Sequence, residues 1–333
     1  MPASCKQSDS SASDAKLAAF NRTCAAIAPI TDPSETLQRL LLRERRSGVK
    51  RNSAYLQSVQ RDGMIEAWRQ KMSHWMFETG SAFDMAKDTV GCAINYMDLY
   101  LSAHSVTKHK LQLLSLVSLS VASKMHESQP ISMDEMKVLS ENKFSRKELW
   151  QMEAQLTKAM NWKLNPLTPF TFARDLVAAL SIHDERALLD SVMLFLQDVA
   201  EDFSSIRFSA SAIAIATVFI FTKIQQSDVS DAFATVLSSL AVSASELVEC
   251  FHFLADLHSL KSHMAGPSTV VEVKEIDGLS FVSSPCAVDA DLCEELCTPA
   301  WAIDFCALLE NQQSQEQMDA DEHHPRSKKM RAL

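Results

Sequence analysis

Between Gly91 and Gly266 the chain contains no glycine, and it has no proline from Ser34 to Gln129 or from Phe170 to Gly266. Strand-rich folds need frequent tight turns, which glycine and proline supply. Runs of this length without either breaker predict helices, so the expected class is all-α. Inside the first run lies LQLLSLVSLSVASK, Leu111 to Lys124, which is apolar on every side. Such a helix has to be enclosed by other elements. Ser115, Ser118, Ser120, Ala122 and Ser123 keep its surface small, so its neighbours can come close. It ends in Lys124, with Glu127 shortly after. A charge at the end of a buried helix either snorkels to solvent or is held for a partner.

The same design recurs. A second small-residue helix, FSASAIAIATVFIFTK, ends in Lys223, at an offset of 99 residues from Lys124. Each of the two precedes a capping-box pair, Ser145 with Glu148 and Ser243 with Glu246, at an offset of 98. This points to an internal duplication. Two helical units are expected, residues 34–163 and 164–262, parted at Asn165-Pro166-Leu167-Thr168-Pro169. The most membrane-like stretch, Ala210 to Thr222, is too short to span a bilayer and reads as a buried helix. Residues 1–33 and 263–333, polar and acidic, read as largely disordered tails.

Along the first unit a helix is expected from Ser34, with the basic run Arg43 to Lys50 as a solvated face and loop. Helical spacing of Met64, Trp68, Met72 and Trp75 predicts one long helix from Tyr55 to Phe77. Ser81 is expected to open the next, with Phe83, Ala86, Val90, Ile94, Met97 and Leu101 facing inward. A short helix at Met133 to Leu139 and a capped one at Ser145 to Met160 complete the unit.

Charge and motifs narrow the function. The net charge is −10, and from Met264 onward thirteen acidic residues face five basic ones, so the body before it carries only −2. A near-neutral body does not suit nucleic-acid binding, which needs a basic face. The six glycines stand apart, so no phosphate-cradling loop can form, and GxSxG, HExxH and EF-hand patterns are absent. His74, His104 and His126 sit beside apolar residues and read as structural. No catalytic residue, cofactor, metal or membrane partner is expected. The eight cysteines suit free thiols in a reducing compartment, and Cys286, Cys293, Cys297 and Cys306 lack zinc-site spacing.

What remains is a recognition surface. Lys110-Leu-Gln-Leu-Leu with Val121-Ala-Ser-Lys124-Met-His-Glu127 resembles the third helix of a cyclin box. Phe144-Ser-Arg-Lys-Glu-Leu-Trp-Gln-Met-Glu153 resembles its fifth helix, and Ile94-Asn-Tyr-Met-Asp98-Leu-Tyr-Leu101-Ser the end of its second. Asn161-Trp-Lys-Leu-Asn-Pro166-Leu-Thr-Pro169-Phe170 is similar to the link to a second cyclin fold. The resemblance is strong over residues 55–175, weaker over 176–260 and absent from both ends. It implies two tandem cyclin-fold bundles, each with a buried central helix. It also implies a non-catalytic regulatory subunit that binds and activates a cyclin-dependent Ser/Thr kinase in cell-cycle control, in the nucleus, the cytoplasm or both. Lys124, Glu153 and Glu127 match the kinase-binding positions, with Lys124 and Glu153 expected to meet at the bundle rim; a plain surface ion pair is the alternative.

The family also docks Arg-x-Leu motifs of substrates and inhibitors in a shallow groove. Met64, Trp68, Leu111 and Gln112 match its positions, so the tryptophan stripe is either core or part of this groove. Arg61 and Lys71 add positive charge where the family has an apolar residue and an acid, which should repel a basic peptide. The family's arginine partner for Asp98 is shifted to Arg61, so Asp98 should be satisfied differently. Beyond residue 263, Ser284-Pro285 and Thr298-Pro299 are candidate phosphorylation sites, Pro299 to Leu309 is either a partner helix that folds on binding or a weakly docked tail, and Arg326 to Arg331 is a candidate nuclear import signal. Leu292-Cys293-Glu294 lacks the spacing of the Leu-x-Cys-x-Glu motif of D-type cyclins. The alternatives are a transcription-associated cyclin and a cyclin-fold general transcription factor; the latter would bring a zinc ribbon and a basic DNA-facing surface, and the sequence offers neither.

Overall fold

The computed structural model describes residues 33–47, 51–180, 184–224 and 243–264. Among these residues every regular element is helical. The first group comprises α1 (Pro33–Arg46), α2 (Tyr55–Ser58), α3 (Glu66–Ala82), α4 (Lys87–Leu101), α5 (Lys108–His126), α6 (Met133–Leu139) and α7 (Arg146–Ala159). The second comprises α8 (Pro169–Leu180), α9 (Glu185–Glu201), a 3-10 turn (Phe203–Arg207), α10 (Ala210–Ile224) and α11 (Ala244–Met264).

The apolar small-residue stretch is the enclosed helix α5, with every residue from Leu114 to Ser123 buried. It packs on α3, α4 and α7. Two of its serines are absorbed locally, while the buried hydroxyls of Ser118 and Ser120 find no hydrogen-bond partner among the described residues. Ser115 donates to the Leu111 carbonyl at 2.8 Å, and the Ser123 hydroxyl receives the Ile131 amide at 3.0 Å, which pins the turn before α6. In the second group α10 holds the same place, between α8, α9 and α11. The box at Ser145 closes on itself and starts α7, whereas the Glu246 carboxylate receives the Ser209 amide at 2.7 Å and ties α11 to the start of α10.

Two expected helices differ in extent. The run from Tyr55 to Phe77 is broken after Ser58, because the chain turns through Gly63 at φ 76° and the Gln60 side chain fastens the loop. Its amide donates to the Leu101 and His104 carbonyls at 2.7 and 2.8 Å and accepts from the Val106 amide at 3.0 Å. Ser81 lies in the last turn of α3 rather than opening α4. Asp84 adopts φ 52°, the Met85 amide closes onto the Gly80 carbonyl at 2.8 Å, and Ala86 is the exposed N-cap of α4.

The two groups meet at α4 and α8. A Cβ at Gly91 would come within 2.9 Å of the Phe170 ring, so glycine permits this approach. Asp88 receives the hydroxyls of Thr168 and Thr171, joining the starts of the two helices across Pro166 and Pro169. The expected tail features at Ser284, Thr298, residues 299–309 and 326–331, and the four tail cysteines, lie outside the described residues.

Candidate functional site

Lys124 and Glu153 come together. Lys124 stands in the last turn of α5, where the helix dipole favours a cation, and Glu153 is mid-way along α7. The ammonium lies 2.7 and 2.9 Å from the two carboxylate oxygens, with the side chains 40% and 30% exposed. A pair this open is worth only about 0–1 kcal/mol to the fold. Both charges are therefore held at the surface by a bond that a partner can replace cheaply.

Apolar surface adjoins them in the chain. Met125 follows the lysine and is 49% exposed, and Trp162, just past α7, is 74% exposed. Asn161 and Trp162 take φ of 48° and 60°, and the Trp162 amide donates to the Thr157 carbonyl at 3.1 Å. Left-handed backbone at a bulky residue costs roughly 1–2 kcal/mol. That strain ends in a solvent-facing indole, where folding gains little. Met125 and Trp162, with Leu99, Met160, Leu164 and Phe208, line a groove of about 840 Å³. Arg43 edges it and donates to the Asn165 carbonyl at 2.5 Å, so the basic run is not merely a solvated face. Nothing in the sequence marks Met125 and Trp162 as exposed, although one adjoins Lys124 and the other lies in the link from Asn161 to Phe170.

Glu127 is turned to its own chain. Its carboxylate accepts from the Ala86 amide at 3.0 Å and the Thr89 hydroxyl at 2.5 Å, capping α4. The four groove candidates do not line the 840 Å³ groove. Met64 and Leu111 are buried, and Trp68 and Gln112 are half-buried. The tryptophan stripe is thus partly core, and the Lys108 ammonium sits 5.4 Å from the Trp68 ring.

Asp98 is satisfied from an unforeseen place. Arg69 of α3 gives it a two-point bond at 2.8 and 2.9 Å, both side chains being essentially buried, and donates to the Glu201 and Ala200 carbonyls at the end of α9. Burial alone would lower the pKa of Arg69, but the charge and hydrogen bonds of Asp98 outweigh it and hold it above its ordinary value. The Tyr55 hydroxyl also reaches Asp98, at 3.2 Å, and burial followed by that carboxylate pushes its pKa up, so it stays a neutral donor. Arg61, by contrast, is exposed in the loop before Met64. One buried arginine therefore locks α3, α4 and the end of α9 together.

The profile "Cyclin, N-terminal domain" matches residues 36–165 and "Cyclin, C-terminal domain" residues 167–275, together well over half of the chain. The chain belongs to the cyclin family. Among relatives, Cyclin-A3-2 of Oryza sativa subsp. japonica is 26% identical over 226 residues, covering 66% of this chain and 58% of that protein. The G1/S-specific cyclin-D1 of Rattus norvegicus is 30% identical over 132 residues, covering 40% of this chain and 44% of that protein. This cyclin thus spans about half the length of these relatives. A viral cyclin from herpesvirus saimiri shares its fold, with a TM-score of 0.58, 18% identity, and coverage of 67% of this chain and 96% of that one.

Proposed function

We propose that this cyclin is a non-catalytic subunit that binds and activates a cyclin-dependent Ser/Thr kinase in cell-cycle control, acting in the nucleus, the cytoplasm or both. Cyclins are regulatory subunits rather than enzymes, and the relatives include A-type and D-type cyclins, one of them named for the G1/S transition. The observation that carries the reading is the open Lys124–Glu153 pair on the chain beside exposed Met125 and the strained, exposed Trp162. A kinase helix can lay an apolar residue into the groove while its carbonyls and charges take over Lys124 and Glu153. Burying that surface would hold the kinase helix inward and complete the kinase's Lys–Glu and metal site. The test is to co-express this cyclin with cyclin-dependent kinase catalytic subunits, then measure co-elution and histone phosphorylation. A catalytic subunit that co-elutes and gains activity supports the proposal; no binding to any such subunit refutes it.

A further inference from the structure

The groove lined by Met125 and Trp162 also carries charge. Arg43, Arg46, Arg51 and Lys163 line it, together with the acids Glu44 and Glu246. Both acids are committed to the start of α10, where their carboxylates receive the Ser211 and Ser209 amides at 3.2 and 2.7 Å. The cations are bonded chiefly to neutral carbonyls. Arg43 donates to the Asn165 carbonyl at 2.5 Å and Lys163 to the Ser47 carbonyl at 3.3 Å. Arg51 reaches the Phe208 carbonyl at 3.5 Å, and the carboxylate it approaches, Asp98 at 3.9 Å, is already gripped at two points by Arg69. A carbonyl satisfies a donor without cancelling its charge, so four positive charges stand against two negative ones. Arg51 is largely buried, where an unbalanced charge acts most strongly. Arg207, a fifth cation on the groove, is paired with Glu249 at 3.3 Å and adds nothing to this excess.

The same chain carries a segment of the complementary kind. Residues 275–325 contain no lysine or arginine. Within them, residues 289–310 hold six carboxylates, and Trp301, Phe305 and Leu308 recur at helical spacing with Asp304 beside them. Trp301 lies 37 residues beyond Met264, the last described residue, enough to reach about 120 Å when extended. A groove of about 840 Å³ has room for several side chains. We propose that residues 289–310 dock in cis in this groove, with Trp301 and Phe305 against Met125 and Trp162 and the carboxylates facing Arg43, Arg46, Arg51 and Lys163. Tethering gives the segment a high effective concentration, so modest contacts suffice and any partner that enters the groove has to displace it. Where that partner is a kinase helix, the segment restrains activation; the docking itself does not rest on the kinase reading.

The test uses the full chain without a kinase, so a failure of docking is told apart from a failure of kinase binding. Carbodiimide crosslinking with mass spectrometry should join Lys163 to a carboxylate of residues 289–310 within one molecule. A full-length variant carrying Trp301→Ala and Phe305→Ala should lose that link. A fluorescent peptide of residues 288–310 should then bind the variant about tenfold more tightly than the unaltered chain, because the groove is uncovered. Adding Arg46→Glu and Lys163→Glu to the variant should abolish peptide binding; both positions are exposed, so its helical circular dichroism should be kept. Trp162→Ala in the same background should weaken the binding. An absent Lys163 link, equal peptide binding by the variant and the unaltered chain, or peptide binding that survives Arg46→Glu with Lys163→Glu would overturn the proposal. So would links that form only between isotope-labelled and unlabelled copies.

Discussion

Replacing Arg69 by alanine removes four hydrogen bonds at once, two to Asp98 at 2.8 and 2.9 Å and two to the carbonyls ending α9 at 2.9 and 3.1 Å. It leaves the Asp98 carboxylate, fully buried, with only the Tyr55 hydroxyl at 3.2 Å and Arg51 at 3.9 Å. Breaking a buried pair by deleting one partner costs about 3–5 kcal/mol, because the stranded charge has lost its solvation. Arg51, 19% exposed, can move inward and recover part of this. The expected loss is therefore about 3–4 kcal/mol, against a total stability of about 5–15 kcal/mol. Urea unfolding of the full chain, followed by far-UV circular dichroism, measures it. The double variant Arg69→Met with Asp98→Leu should lose less than Arg69→Ala alone, since it strands no charge. A loss below about 1 kcal/mol for Arg69→Ala, or a double variant equal to the sum of its singles, would refute the clamp.

Glu127→Ala should cost about 1 kcal/mol through the lost cap on α4, seen as a lower melting temperature, and leave kinase affinity unchanged. The Nδ1–H of His74 donates to the Glu201 carboxylate at 3.1 Å, and this hydrogen bond raises its pKa despite partial burial. Its stabilising contribution is therefore full below the unfolded value of 6.5 and lost as pH rises through the folded value. With the imidazole 43% exposed the effect is well under 1 kcal/mol. His258, whose pKa is lowered by burial against Phe195 and Phe221, acts in the opposite sense, so stability falls as pH drops below its ordinary 6.5. Comparing His74→Gln and His258→Gln across pH 5–8 by thermal melts should give pH slopes that change in opposite directions; a shift of the same sign in both would count against the assignment.

Legibility followed periodicity and punctuation. The enclosed α5 could be read from its all-round apolar surface, α7 from its serine cap, and the α8 boundary from Pro166 and Pro169. The break at Ser58 could not, because Met64, Trp68 and Met72 keep helical spacing across a loop held by a distant side chain, Gln60. Arg69 reads as a polar helix position, and nothing in its own stretch tells that α9 ends against it. Lys124 and Glu153 were legible by resemblance to a family. Met125 and Trp162 were not, because exposure of an apolar residue is a property of the assembled surface.

The central claim is that the rim pair beside Met125 and Trp162 receives a kinase. The most direct measurement is the affinity of a cyclin-dependent kinase catalytic subunit for the full chain carrying Lys124→Ala, by isothermal titration. A loss of about 2–5 kcal/mol in binding, with a melting temperature near that of the unaltered chain, is the expected result. Undiminished affinity in a normally folded Lys124→Ala chain would contradict it.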